Sequence, residues 1–485
     1  MKIGLSDLVV FWGCGKIGIA QLERFGKYLS VPDFFCDIKP ELWGRNIQGI
    51  KVVSPSELLN ESLRYIVITA RATEEIRKCI IEQGVDEDKI VLYDHLTDID
   101  ILSNLVDRLK IFNSDACDRR LDKKAVYTFF DLSNGMVLGG VERWCYKSAL
   151  FYKNHGGEGE YLLFDNSRMD VMDDTFDSHR VLTKGVNTIE LLENIIDRML
   201  SYGNSVVICN FASVFFYAAG MIKKAGKGQL LMVSVVHNDE DVYYDINMIW
   251  KDQIDICFVI SRRINDKLID LGFPKEKIRI LQWSIDFPKV ERFYSVNGEK
   301  IRIGYAGRIT NLQKNVKDLI IIARELKDRN IDFLLQVAGN GDYMEQLVED
   351  VQDYCLNDCV EVVGLVPHDD IFEFWSEQDI YINCSVWEGH SISQTEAMGM
   401  GAVPIVTDTS GASDDIVDGE NGFIVDVGNT EGLINKIELL YYDRELLEAL
   451  GRAASVYIRK KCEPKNDELF WKTILAMVYQ RGEDL

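Results

Sequence analysis

The feature that most constrains this chain is one junction met three times along 485 residues: an apolar run, a glycine turn, then a helical period. Leu8-Val9-Val10-Phe11-Trp12 runs into Gly13-Cys14-Gly15-Lys16-Ile17-Gly18. Ala125–Phe130 runs into a loop closed by Gly139-Gly140, and the segment IRIGYAGRIT opens the third repeat at Ile301. Continuous apolar strands that each feed a crossover helix make parallel sheets covered on both faces. The expectation is an α/β chain: an N-terminal Rossmann-like domain, then two tandem doubly wound domains with a central cleft. The boundaries read as 1–97, a linker at 98–124 ending in the charged run NSDACDRRLDKK, 125–290, 291–455 and a C-terminal helix over 456–485.

Charge and cysteine usage remove whole classes of function. Fifty-four basic against 78 acidic side chains leave a formal charge of −24. Such a field repels phosphate backbones, so no nucleic-acid partner is expected. The 11 cysteines are odd in number and scattered. They read as reduced core thiols, with no zinc spacing and no metal site. Asp7 and Lys16 interrupt any secretory pattern, and 206–222 is too short and polar to be a convincing span. The chain is expected in the cytoplasm. One stretch raises peripheral inner-membrane contact: Phe215-Phe216-Tyr217 followed by Lys223, Lys224 and Lys227 joins an apolar to a basic face. The competing reading is a core helix with a cationic C-terminus.

Gly13, Gly15 and Gly18 follow a strand and open a helical pattern, and Asp37 ends a second strand 19 residues later. That is a GxGxxG loop in its required setting, a candidate dinucleotide site for NAD or another nucleotide. The segment resembles small Rossmann-like modules attached to sugar-modifying enzymes and methyltransferases. The other reading keeps the glycines for packing and binds nothing.

The third repeat carries the chemistry. Arg308 follows a strand directly, and Lys314 comes 6 residues later at the head of a helical pattern. Two cations and a helix N-terminus suit a diphosphate. Alternatively, Arg308 pairs with a local acid and Lys314 is a solvated surface residue. Further on, Glu388 and Glu396 stand 8 residues apart, in a loop and in the next helix. Carboxylates accept paired hydrogen bonds from vicinal hydroxyls, so the four residues could hold a nucleotide-sugar at both ends. A competing use of Glu396 is local: Ser393-x-x-Glu396 has the form of a capping box. We favour the ligand role because Arg308, Lys314 and Glu388 share a sheet edge.

These motifs, with VAGNG and EAMGMGAVPIVTD…GASDDIVDGENGFIV, resemble the retaining glycosyltransferases of the GT-B fold, family 4, over residues 125–485. The resemblance implies a transferase that moves a sugar from a UDP- or GDP-linked donor to a glycan or lipid-linked acceptor, in polysaccharide biosynthesis, with no cofactor required for transfer. By that likeness Arg308 and Lys314 hold the diphosphate, Glu388 meets the donor sugar and Glu396 the ribose. The backbone at Gly339, Gly341 and Val366 lines the nucleotide pocket. Gly139 and Gly140 face the phosphates, and His237 approaches the donor sugar or the acceptor; His390 and Ser391, beside Glu388, are added as donor-binding candidates. Three departures mark this chain: Asn315 where glycine often follows the lysine, a polar run from His390 to Thr395, and Trp283-Ser284-Ile285-Asp286 where NGID is usual.

Three competing readings follow. Asp239-Glu240-Asp241 has the spacing of a metal-binding Asp-x-Asp. The GT-B architecture also hosts nucleotide-sugar epimerases, with residues 1–97 as a working NAD domain. A catalytically silent nucleotide-sugar-binding protein would keep the pocket without turnover.

Overall fold

The computed structural model describes residues 229–483 without interruption. It describes 126–228 apart from 134, 137–138, 165–167, 170–174, 182–187, 203, 212 and 227–228. Before that it describes 8–15, 18, 33–47, 49–58, 63–68, 73–85 and 90–92. The 98–124 linker, the helical pattern after Gly18 and Lys227 lie outside the described residues.

The chain divides into two compact units. One comprises Met1–Leu138, Lys153–Val233 and Asp252–Asp255; the other comprises Gly139–Tyr152, Ser234–Lys251 and Ile256–Leu485.

The first unit contains a six-stranded sheet built from β1 (Leu8–Trp12), β2 (Phe34–Cys36), β3 (Asn46–Ile47), β4 (Ile50–Val53), β5 (Leu63–Ile68) and β6 (Ile90–Leu92). Their order is β3-β4-β2-β1-β5-β6, parallel except for the β3–β4 hairpin. Its strands read as unbroken apolar runs because both faces are covered. Val10 and Trp12 join one buried cluster with Ile66, Ile68 and Ile80, while Phe11 points to the other, with Phe35, Ile50 and Val52.

The same unit holds β7 (Tyr127–Asp131), β8 (Gly135–Met136), β9 (Glu158–Phe164), β10 (Arg168–Met169), β11 (Asp177–Val181) and β12 (Asn204–Cys209), with β13 (Gln229–Val236) starting there. In the second parallel sheet these run β11-β9-β7-β12-β13, so the first strand is central and the order reverses beside it. β8 and β10 pair separately.

The helix Val214–Lys224 carries the aromatic part of the stretch raised for membrane contact. Every residue from Phe215 to Ile222 is buried, and Lys223 pairs with Asp255 at 2.7 Å. This fits the core-helix reading of the stretch: its aromatics pack inward. Among the described residues no helix is long and apolar enough to cross a membrane.

In the second unit β14 (Ile256–Val259) pairs in parallel with β15 (Ile278–Ile280). Its main sheet comprises β16 (Ile301–Arg308), β17 (Phe333–Asn340), β18 (Val360–Gly364), β19 (Ile380–Asn383), β20 (Val403–Thr407) and β21 (Phe423–Val425), in the order β18-β17-β16-β19-β20-β21. All its strands run parallel. The buried core joins strand residues such as Ile303, Leu335 and Ile382 to helix residues Leu319, Ile322 and Leu433. The C-terminal helix spans Lys465–Glu483, and Trp471 donates its indole N–H to the Ser148 carbonyl at 3.0 Å.

Candidate functional site

In the sheet β16–β21 successive strands leave β16 in one direction through β17 and β18, then resume on its other side at β19. The reversal point lies between β16 and β19, and open parallel sheets bind ligands beyond the strand carboxyl ends at such a point. Arg308 ends β16, and Lys314 follows in the turn before the helix Lys317–Asp328. Glu388 lies in the loop after β19, and Glu396 on the helix Ile392–Gly399. Gly339 and Gly341 lie at the end of β17, and Val366 lies in the loop after β18. The structure therefore brings these residues to one edge of one sheet.

Their side chains are already paired. Lys314 Nζ donates to Glu388 Oε1, and the Ser385 hydroxyl donates to the same oxygen at 2.6 Å. Burial pushes the Glu388 carboxyl up, but Lys314 and Ser385 outweigh it and hold it below its usual range. Arg308, exposed at the strand end, donates to Gln313 Oε1, and Gln313 Nε2 reaches the Trp387 carbonyl at 3.2 Å. Gln313 was not anticipated from sequence. A neutral amide between two cations carries no motif, and only the fold shows it tying Arg308 to the Glu388 loop.

The Gly140–Asn154 helix begins in the same compact unit, and its first turn meets this edge. A Cβ at Gly139 would collide with the Glu142 carboxylate, and one at Gly140 would press on Ile392 at 3.0 Å. Small residues here let two helix starts approach. Burial raises the Glu142 carboxyl, and the charge of Arg308 partly opposes that. Arg143, one residue on, donates to Glu396 Oε1 at 2.6 Å. Sequence reasoning missed Arg143 because its partner lies 253 residues away.

The competition over Glu396 is resolved against the capping box. The N-cap of its helix is Ser391, whose Oγ accepts from the Gln394 N–H at 3.3 Å, so Glu396 is too far along the helix to complete a box. Ser391, expected at the donor, instead serves the helix and the Tyr381 hydroxyl at 3.1 Å. His390 is also turned inward. Its Nδ1 accepts from the Trp283 indole at 2.7 Å and its Nε2 meets Asp415 Oδ2 at 3.0 Å. Both ring nitrogens are thus spent in the interior. His237 adjoins the Glu388 loop through its backbone, since a Cβ at Gly389 would strike its carbonyl. The imidazole itself packs on Trp144, with centroids 5.2 Å apart, and burial pushes it down to about 3, leaving it neutral.

Two backbone details explain residue choice. Asn315 has φ 50°, a left-handed conformation that asparagine tolerates better than most residues, so it can stand where glycine is common. Gly339 has φ 140°, and a methyl group there would fall on the Gly307 carbonyl of the neighbouring strand. Gly339→Ala is expected to cost about 1–3 kcal/mol or more, read as a lower denaturation midpoint. An unchanged midpoint would contradict this backbone geometry.

The Asp-x-Asp candidate is held by local partners. Lys267 reaches Asp239 at 3.7 Å and Asp241 at 3.3 Å, the Tyr244 hydroxyl donates to Asp239 at 2.6 Å, and Glu240 accepts from the Trp387 indole at 3.0 Å. Among the described residues no group of three or more His, Cys, Asp or Glu could hold a metal. At the N-terminal loop, Gly13 adopts φ 109° and Gly15 is unobstructed, while Gly18 is buried. Asp37 closes this loop: its carboxylate accepts from the Cys14 N–H at 3.3 Å and the Lys39 N–H at 3.0 Å. Burial, with Asp37 adding to it, pushes the Cys14 thiol up to about 12.

Residues 286–456 match the family model described as glycosyl transferases group 1. Residues 5–91 match a separate model described as C2185-like, N-terminal. The capsular polysaccharide biosynthesis glycosyltransferase CapM of Staphylococcus aureus is 27% identical over 216 residues, 44% of this chain and 55% of that protein. The chain spans about half the length of the curated relatives it matches. Among solved structures, the apo lipopolysaccharide outer core galactosyltransferase WaaB superposes with TM-score 0.60 at 18% identity, over 73% of this chain and 99% of that one. HepE of Anabaena, in complex with UDP, gives TM-score 0.59 at 15% identity, over 72% and 99%. The chain has the GT-B fold.

Proposed function

We propose that this chain is a group 1 glycosyl transferase, one that moves a sugar from a nucleotide-sugar to a glycan or lipid-linked acceptor in polysaccharide assembly, with retention of the anomeric configuration and without a metal. The observation that carries the reading is the meeting of Arg308, Lys314, Glu388 and Glu396 at the strand reversal of one sheet. The family likeness supports retention and family 4, the UDP held by HepE supports a nucleotide-linked donor, and the role of CapM supports the polysaccharide setting.

As the anomeric C–O bond breaks, the electron pair leaves with the nucleoside diphosphate. Arg308, Lys314 and nearby helix N–H groups stabilise that charge. Glu388 accepts from donor-sugar hydroxyls, and its pairing with Lys314 keeps it ionised to do so. Glu396 accepts from the ribose. Gly139 and Gly140 let backbone approach the phosphates, and backbone at Gly341 and Val366 lines the base. The domain over 1–97 would hold NAD or another nucleotide on Gly13, Gly15 and Gly18 once Asp37 releases the Cys14 N–H.

The test is a panel of UDP- and GDP-sugars, scored for donor hydrolysis and for transfer to lipid-linked and glycan acceptors. At least one donor should be consumed with its anomeric configuration kept; no consumption of any donor, or inversion, overturns the reading. Transfer should continue unchanged with excess EDTA. A loss of rate restored by Mg²⁺ or Mn²⁺ would instead assign a Lewis acid to the leaving group.

A further inference from the structure

Arg143 has no role in the reaction drawn above, yet it makes the link between the Gly140 helix and the helix that carries Glu396. Its guanidinium is one-third exposed, whereas Glu396 is 3% exposed, so a side chain reaching in from the site's margin holds an acid in its floor. The approach is built into the backbone. Gly140 lies against Ile392, the first residue of the Glu396 helix, and Arg143 donates its backbone N–H to the Gly139 carbonyl at 3.1 Å. The glycines thereby fix the distance that the ion pair spans.

A buried carboxylate with no cation beside it takes up a proton, because burial penalises its charged form. At Glu396 burial raises the carboxyl and Arg143 works against it. The indole of Trp375 faces the same carboxyl from the helix Ile371–Glu377, with Nε1 short of a formed hydrogen bond. Arg143 is the charged group opposing burial there. It engages Oε1, and since a carboxylate offers about four acceptor positions, the pair leaves capacity for a vicinal diol.

We propose that Arg143 is the positioning residue for Glu396: it holds this buried carboxylate in place to accept both hydroxyls of the donor's ribose, acting on the nucleotide through Glu396. The inference rests on the reading that Glu396 meets the ribose.

The experiment compares one nucleoside diphosphate with its 2′,3′-dideoxy analogue by calorimetry, using whichever of UDP and GDP the full chain binds more tightly. Wild type should prefer the natural nucleotide by about 10–100-fold, the worth of hydrogen bonds to a charged acceptor. Glu396→Gln and Arg143→Gln should each erase most of that preference, the double variant should lose no more than either, and Arg143→Lys should restore part of it. Because each value is a ratio within one protein, a general loss of folded material cancels. In Arg143→Gln the residual preference should grow as pH rises, since Glu396 without its cation is ionised only at higher pH. An Arg143→Gln protein that keeps the wild-type preference overturns the proposal. So does one that weakens both nucleotides equally, which would place Arg143 on the diphosphate itself. If wild type shows no preference, or Glu396→Gln leaves it intact, the ribose reading fails and the proposal fails with it.

Discussion

Arg308→Ala should lower kcat by about 10²–10³-fold, the range for loss of one preorganised donor at a developing negative charge. The residue is exposed at the end of β16 and its side chain is held by Gln313. Little apolar surface depends on it, so folding stability should stay within about 0.5 kcal/mol of wild type. The combination is diagnostic: a large kinetic effect with an unmoved melting curve separates a charge-stabilising role from a structural one. Arg308→Lys should recover only part of the rate, because an ammonium keeps the charge but loses the planar fork that grips two phosphate oxygens. Near-wild-type turnover in Arg308→Ala would mean that the diphosphate departs elsewhere, and the proposed site would have to be abandoned. Gln313→Ala offers a graded comparison. It removes the amide that ties Arg308 to the Trp387 carbonyl while leaving both cations in place, so its effect should be smaller.

What could be read from sequence divides along a physical line. Strands buried on both faces announce themselves as apolar runs, and the glycine junctions mark where each run ends; Gly13 and Gly339 fall where the backbone needs them. Arg308, Lys314, Glu388 and Glu396 were legible because each sits a fixed step beyond a strand. Their pairing was not. Whether Glu396 faces Ser393 or Arg143 depends on how a helix 253 residues earlier packs, and local spacing favours a capping box that the structure replaces with Ser391 as cap. The polar stretch His390–Thr395 was the other blind spot. Taken alone it looked like a donor-facing run, but Trp283 and His390, two departures from the family pattern far apart in sequence, are hydrogen-bonded to each other. Gln394 and Thr395 both lie 3.4 Å from Asp415. Departures that look independent in a sequence thus answer to one buried acid.

That acid gives the largest stability effect expected here. Asp415 is fully buried and takes Lys461 at 2.5 Å on Oδ1 and His390 at 3.0 Å on Oδ2. The indole N–H of Trp283 donates to Nδ1 of His390, which places the imidazole proton on Nε2, facing Asp415; Lys461 is then the countercharge. Asp415→Ala would strand the Lys461 ammonium, 23% exposed, beside an emptied hydrogen-bond site. Breaking a buried pair by removing one partner costs about 3–5 kcal/mol, which for a unit of this kind lowers the melting temperature by roughly 6–20 °C. Asp415→Asn should fall between, because the amide can still accept from Nε2 but leaves Lys461 uncompensated. The pH dependence has a definite sign. Burial pushes the Asp415 carboxyl up, yet His390 and Lys461 outweigh it and hold it well below the usual value of 3.8. A depressed carboxylate contributes stability above its unfolded pKa and loses it as pH falls through the folded one. The gap between wild type and Asp415→Ala should therefore stay constant from about pH 5 to 8 and narrow only in strong acid. A melting temperature within measurement error of wild type would show that the network adds nothing to the fold, and a gap that closes near neutral pH would show that a group other than Asp415 sets its pH dependence.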